Sequence, residues 1–338
     1  MASLRSFVVI RLILLIPMIW FLLTIIFIVL RVLPGANPIE VMSPQMPPDQ
    51  AAAIAADLGL DRPIHEQYLD FLRDILVLDF GKSYSTNLEI IDELRLAFGP
   101  TLMLSIFGTL IGIPLGIFLG GYAGSHRESN RDHLIRIFSI GVYAMPIFLV
   151  GTLMQIFMLE FFPDFPILAL LPPGATAEFT HYTEIWFIDT LLSGRPDLAF
   201  ELILHLILPS LALGMLIAGT ISRLVRTNMI FQLEQDYVHF ARSRGIPENT
   251  VKYRYSLKNA VVPIIGMIGL QFALLLSGAI LTETTFSIPG LGRYLYFAIV
   301  QKDFPQVQGA FVILIVVVSI VSLFSDVLYA LLDPRIKY

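Results

Sequence analysis

Six apolar runs, each more than twenty residues long, constrain this chain more than any other feature. They extend over about Val8 to Leu30, Thr101 to Tyr122, Ile135 to Met158, Leu198 to Val225, Ala260 to Leu281 and Val307 to Leu332. A bilayer's hydrocarbon core is about 30 Å thick and a helix rises about 1.5 Å per residue, so each run is long enough to cross it. Backbone groups in lipid have no water to bond, which leaves the helix as the form such segments take. Soluble domains are charged at about a quarter of their residues. Here 14% are charged and 56% hydrophobic, with a mean hydropathy of +0.77. The fold expected is an all-α integral membrane protein with six transmembrane helices. Without cysteine there is neither a disulfide framework nor a thiolate metal site. The six histidines show no close helical spacing of the kind zinc ligands use.

The division expected is a first span over residues 1–31, an outer loop over 32–100 and a five-span core over 101–338, with a water-facing loop at 226–258. The first run follows Arg5 and Arg11 and resembles a leader, but its apolar stretch is too long and no small-x-small cleavage pattern follows. It is read as a retained span. Six crossings place both termini on one side, and charge tests this. Lys and Arg number 14 on the side of the termini and 8 on the other, whereas acids number 7 and 20. Short basic loops stay in the cytoplasm, so both termini are expected there.

Within the outer loop, Tyr68, Leu69, Leu72, Ile75 and Leu76 recur at helical spacing after Pro63, as in a helix lying on the membrane or over a pore mouth. In the second span, Gly108, Gly112, Gly116 and Gly120 share one face and invite a close helix partner, inside this subunit or at an interface. Pro146 and Pro209 are expected to bend the third and fourth spans.

Catalytic signatures are missing. Phe80-Gly-Lys-Ser83 imitates the end of a phosphate loop, but the earlier glycine it needs is replaced by Leu76. No Gly-x-Ser-x-Gly or His-Glu-x-x-His occurs. Glu160, Glu201 and Asp326 fall near span ends, where they reach water, and Glu201 is spaced to pair with His205 on one face. The chain is expected to hydrolyse nothing by itself.

The polar stretch from Asp236 to Pro263 reads DYVHFARSRGIPENTVKYRYSLKNAVVP. Tyr237, Val238, Ala241 and Gly245 mark a short helix with one apolar face, Gly245 sits where a left-handed cap would end it, and Pro247 prevents continuation. A basic ramp from Lys252 to Lys258 then leads into the fifth span. Such a loop suits docking on a cytoplasmic partner.

These residues resemble the coupling loop of bacterial ABC importer permeases, in the version found in the dipeptide and oligopeptide branch. His239, Phe240 and Ala241 stand where the general motif has Glu-Ala-Ala. The similarity extends to Leu33-Pro-Gly35 and Pro38, Leu58 to Pro63, Asp79 to Ser83, Glu283 to Arg293, Asp303 to Gly309 and Asp333 to Arg335. Gly35-Ala-Asn-Pro38 departs from the family's usual Gly-Asp-Pro.

The resemblance implies a second, homologous permease, two cytoplasmic ABC ATPases that bind ATP and magnesium, an extracytoplasmic solute-binding protein, surrounding membrane lipid and no nucleic-acid partner. No cofactor is implied for this chain. It implies peptide as substrate, with nickel chelates, glutathione or sugars as alternatives in close relatives. Asp236, Tyr237, His239, Ala241, Arg242, Arg244, Gly245 and Pro247 would form the ATPase-coupling loop. Gln155, Gln271, Ser277 and Thr282 would line the path or bond between helices, and Glu283, Pro289, Gly290 and Gly292 would form an outer gate or binding-protein contact. The competing classes are a gradient-driven transporter acting alone and a membrane scaffold.

Overall fold

Residues 4–31 and 62–332 are described by the computed structural model, and the matches at Leu33 to Pro38, Leu58 to Asp61 and Asp333 to Arg335 lie outside them. Among the described residues every regular element is helical, with one isolated bridge between Lys82 and Glu89. The first run forms α1, Leu4–Arg31. A short helix α2, Ile64–Leu76, lies against its far end. Tyr68 and Phe71 pack on Phe27, ring centroids 5.1 and 5.4 Å away, and the Tyr68 hydroxyl bonds that of Thr24 at 2.6 Å. Leu69 and Leu76 are exposed. The buried face is therefore 68, 71, 72 and 75, turned from the one the spacing suggested because α1 supplies the covering surface.

The second run becomes α3, Ile90–Ser125, which begins eleven residues before the apolar run. Its first turns carry Ile90, Leu94 and Ala97 into a core shared with α1 and α2 and with two later helices, α12, Leu291–Val300, and α13, Phe304–Leu332. The third run is broken into α4, Asn130–Ala144, and α5, Ile147–Phe161, at an angle of 107°. Met145 is held extended at ψ 137°, as the residue before a proline must be, so Pro146 turns the chain sharply.

After the outer helix α6, Trp186–Leu192, comes α7, Pro196–Leu233, a helix that runs through Pro209 without interruption. The pairing of α3 with α7 is the most extensive in the bundle. A methyl on Gly112 would lie 2.7 Å from the Gly214 carbonyl oxygen, and one on Gly116 2.7 Å from Ile221 Cβ. The glycine stripe thus packs inside this subunit. Gly108 meets Leu213, Gly112 meets Ile217, Gly116 meets Ile221 and Gly120 meets Val225. The residue numbers rise together, so the helices are parallel, and the bent pair α4–α5 must carry the chain back between them.

Beyond α8, Asp236–Ser243, a π-helical segment Thr250–Ser256 leads through α9, Leu257–Val261, and a 3₁₀ turn at Pro263 into α10, Ile265–Gly278. Pro263 has no amide hydrogen to give an α-helix, and the local change of hydrogen-bond register accommodates it. The short α11, Ile280–Thr285, precedes α12. Among the described residues five helices, or six if α4–α5 counts as one span, are long and apolar enough to cross a membrane. Near the ends of the described chain, Arg11 on α1 meets Asp326 on α13 at 3.0 Å. Both termini of the bundle therefore lie at the same end.

Candidate functional site

The helix α8 is eight residues long and would not persist alone. Val238, Ala241 and Val251 bury themselves together, with Ile246 packed against them. At its end the Ile246 amide donates to the Ala241 carbonyl at 3.2 Å and the Gly245 amide to that of Arg242 at 2.9 Å. Gly245 lies at φ +75°. These are the two reversed bonds of a Schellman stop, with Ile246 supplying its apolar contact. Pro247 then accepts from the Thr250 and Val251 amides and begins the next segment. Arg242 clasps Glu248 across the turn with two bonds, 3.1 and 2.8 Å. That contact holds the Glu248 carboxyl below the ordinary carboxylate range and raises Arg242.

Anchored in this way, the loop presents an outward surface. Asp236, Tyr237, His239, Arg242, Arg244, Gly245 and Pro247 are exposed, and Phe240 is 63% exposed with Arg244 over its ring. Ala241 is buried, so its small side chain serves the inner packing. Phe240 is the largest apolar group on the surface. Helical spacing assigned it no particular role.

At the other end of the bundle Glu283 is fully buried. Its Oε1 accepts from the Thr101 hydroxyl at 2.6 Å and its Oε2 from the Arg293 amide at 2.8 Å. Thr101 Oγ1 accepts from the Leu291 amide at 2.8 Å. Gly290 leaves no room for a side chain: a methyl there would lie 2.5 Å from Glu283 Oε2 and from Thr101 Oγ1. One on Gly292 would meet Ile280 Cα at 2.7 Å. Glu283, Gly290 and Gly292 thus form a knot fastening the loop 286–292 to α3. Only Pro289 and Gly290 of the four reach the surface of a neighbouring cavity.

That cavity, about 860 Å³, is lined by Glu93, His181, Trp186, Arg293 and Tyr294 among others. Glu93 accepts from the Tyr294 hydroxyl at 2.9 Å and from Gln306 at 2.8 Å. Burial, and then the bond to Glu93, push the Tyr294 phenol far up, so it stays protonated. Trp186 Nε1 is buried there without a partner among the described residues. These groups come from three distant parts of the chain, and spacing could not have assembled them. Ser83, from the rejected phosphate-loop imitation, instead donates to Asp303 at 2.8 Å.

The path residues do not converge on this cavity. Gln155 donates to the carbonyls of Ile167 and Thr285, both at 3.2 Å, and so ties segments within the chain. Thr282 is buried with its hydroxyl unpartnered among the described residues. Gln271 is half-buried on α10, and the side chain of Ser277 is outside the described set. His205 donates Nδ1 toward the Leu168 and Ala169 carbonyls at 3.0 and 3.3 Å rather than toward Glu201.

Comparison with known proteins places these features. Residues 112–338 match the family described as binding-protein-dependent transport system inner membrane component, and residues 4–104 match its N-terminal region. The chain is 33% identical to the dipeptide transport system permease protein of Alkalihalophilus pseudofirmus, covering 97% of this chain and 98% of that one. It is 34% identical to a di/tripeptide transport system permease protein of Pseudomonas aeruginosa, over 98% and 99%. It is 30% identical to a glutathione transport system permease protein of Salmonella typhimurium, over 98% and 99%. Two family regions in order and near-complete coverage leave one assignment: the chain belongs to the membrane-spanning, non-catalytic subunits of binding-protein-dependent transport systems.

Proposed function

We propose that this chain forms half of the translocation path of an ATP-driven importer of di- and oligopeptides in the bacterial cytoplasmic membrane. A second homologous permease forms the other half. One of two cytoplasmic ATPases docks on the loop from Asp236 to Pro247, and a solute-binding protein delivers substrate at the opposite face. The observation that carries this reading is α8: a short helix with its inner face locked by Val238 and Ala241, a glycine stop and an exposed Phe240. A rigid knob of that kind transmits a push. Turned by a partner, it moves α7 on one side and the segment from Thr250 into α10 on the other, which is rigid-body gating of the sort alternating access uses.

The sidedness rests on the charge bias of the short loops and on both termini lying at the α8 end of the bundle. Peptide is favoured by the two relatives whose names specify di- or tripeptides. Glutathione is the second reading, since a relative of equal coverage is named for it. Reconstitution of the chain with its genomic companion subunits in proteoliposomes tests both. ATP-dependent uptake of a labelled dipeptide, competed weakly by glutathione, is the expected result. Uptake by the lone chain without ATP would sink the proposal in favour of a gradient-driven carrier.

A further inference from the structure

On one flank of the seam between α4 and α7 the two helices leave a cavity of about 190 Å³. Its polar wall consists of Arg136 and Ser139 from α4 and of Ser222, Arg223, Arg226 and Thr227 from α7. Arg226 is neutralised by Asp132, which it grips at two points. Among the described residues neither Arg136 nor Arg223 has a carboxylate within ion-pair distance, and Arg223 lies over the Tyr143 ring at 4.9 Å. Asp132 attracts Arg136 only from beyond contact distance, so neither guanidinium is directly paired and both keep their hydrogen-bond donors free for an acceptor entering the cavity. Independently, Ser139 is 7% exposed and its hydroxyl has no hydrogen-bond partner among the described residues. A buried hydroxyl left unpaired is costly, and here it is on the cavity wall, where an entering acceptor would satisfy it.

The position selects the acceptor. Arg136 lies two turns into α4 and Arg223 about 15 Å before the end of α7, at the end of the bundle that carries α8. Leu134, Ile137 and Ile140, 66%, 68% and 58% exposed, surround this stretch with apolar surface. Guanidinium groups grip phosphate oxygens with paired hydrogen bonds. Basic pockets between membrane helices on the cytoplasmic side bind acidic lipid headgroups. We infer that the Arg136–Arg223–Ser139 cavity binds the phosphate of an anionic phospholipid of the leaflet on the α8 side, its acyl chains lying along the exposed apolar face of α4. A soluble phosphate has the same oxygens but no use for that face. Bound there, the lipid clamps the bent span to the helix that leads into the coupling loop.

The test is native mass spectrometry of the full chain in mild detergent, supplied with phosphatidylglycerol or phosphatidylcholine. The wild type should retain phosphatidylglycerol selectively. Retention should fall about fivefold in Arg136→Gln and roughly thirtyfold in Arg136→Gln/Arg223→Gln, the effect expected per arginine near an acidic membrane surface. Arg131→Gln, a change on the same side but bonded to the Tyr122 hydroxyl, should leave retention unchanged. Arg136 is exposed and, among the described residues, makes no close ion pair, so its single variant should fold even if the double variant does not. Equal retention in Arg136→Gln and wild type overturns the assignment. So does displacement of the lipid by millimolar inorganic phosphate, which would mark the site as one for a soluble anion.

Discussion

Asp132 and Arg226 join the bent span to α7 through a two-point ion pair, Nε to Oδ1 at 2.6 Å and Nη2 to Oδ2 at 2.7 Å. Asp132 is fully buried, and the Glu128 amide also donates to it at 3.0 Å. Removing one partner leaves the other charge without compensation. Asp132→Ala should lower stability by about 3 kcal/mol, read as a lower thermal unfolding midpoint of the purified chain. Asp132→Ala combined with Arg226→Met should recover much of the loss. A midpoint unchanged in the single variant would show that the pair contributes little.

The glycine face of α3 gives a second expectation. Gly116→Ala forces a methyl to 2.7 Å from Ile221 Cβ on a helix that cannot easily withdraw. Overpacking of this kind costs about 1–3 kcal/mol. Gly141→Ala on α4 meets nothing within 4 Å and should be neutral or mildly stabilising. Thermal melts of the two variants side by side decide whether close helix approach is needed or whether glycine loss alone is harmful.

Gly245 separates backbone strain from bulk. Its φ of +75° is unfavourable for branched side chains, yet a Cβ there would meet nothing within 4 Å in this chain. Gly245→Val should strain the stop by about 1–2 kcal/mol, loosen α8, and lower uptake while ATP hydrolysis by the reconstituted complex continues. Gly245→Asn, which tolerates the left-handed region, should keep most of the uptake. Wild-type uptake in Gly245→Val would remove the stop from the coupling role.

The Arg242–Glu248 clasp makes a pH prediction. The folded-state carboxyl titrates below its unfolded value because Arg242 hydrogen-bonds it. Its contribution is therefore fully present above the unfolded value, near 4.5, and is lost as pH falls through the lower folded value. Both side chains are more than a third exposed, so screening leaves only a few tenths of a kcal/mol. Uptake between pH 6 and 8 should keep the same profile in Glu248→Gln as in wild type, measured in proteoliposomes. A shifted profile would mean that a partner encloses the pair.

The Thr101 hydroxyl links α3 to the knot around Glu283. Thr101→Val would leave Glu283 Oε1 without its donor and the Leu291 amide without its acceptor, both buried. Unsatisfied groups of that kind cost about 1–3 kcal/mol each. Limited proteolysis should then cut the segment 286–292 faster than in wild type, and an unchanged rate would show that the loop is held by other contacts.

Much of this was legible in residue order. Apolar runs of more than twenty residues foretold that the long elements are helices, because lipid permits few alternatives. Gly245 followed by Pro247 marked the end of α8, since a left-handed residue and a missing amide are local facts. The even spacing of Gly108 to Gly120 foretold a close helix contact. It could not name α7 as the partner, because a stripe says nothing of what covers it.

Tertiary structure decided the rest. Ala241 turned inward because Val251, ten residues on, returned to cover it. Phe240 was left outside by the same packing. Pro146 and Pro209 are chemically alike, yet one breaks its span by 107° and the other is absorbed in a continuous helix. The cavities gather residues from distant parts of the chain, and the ionisable groups in them acquire partners that no spacing rule foresees. Local chemistry determined which segments are helices and where they stop. Which faces meet, and so which charges are left without a partner, depended on the whole bundle, because burial is a property of neighbours far away in the chain.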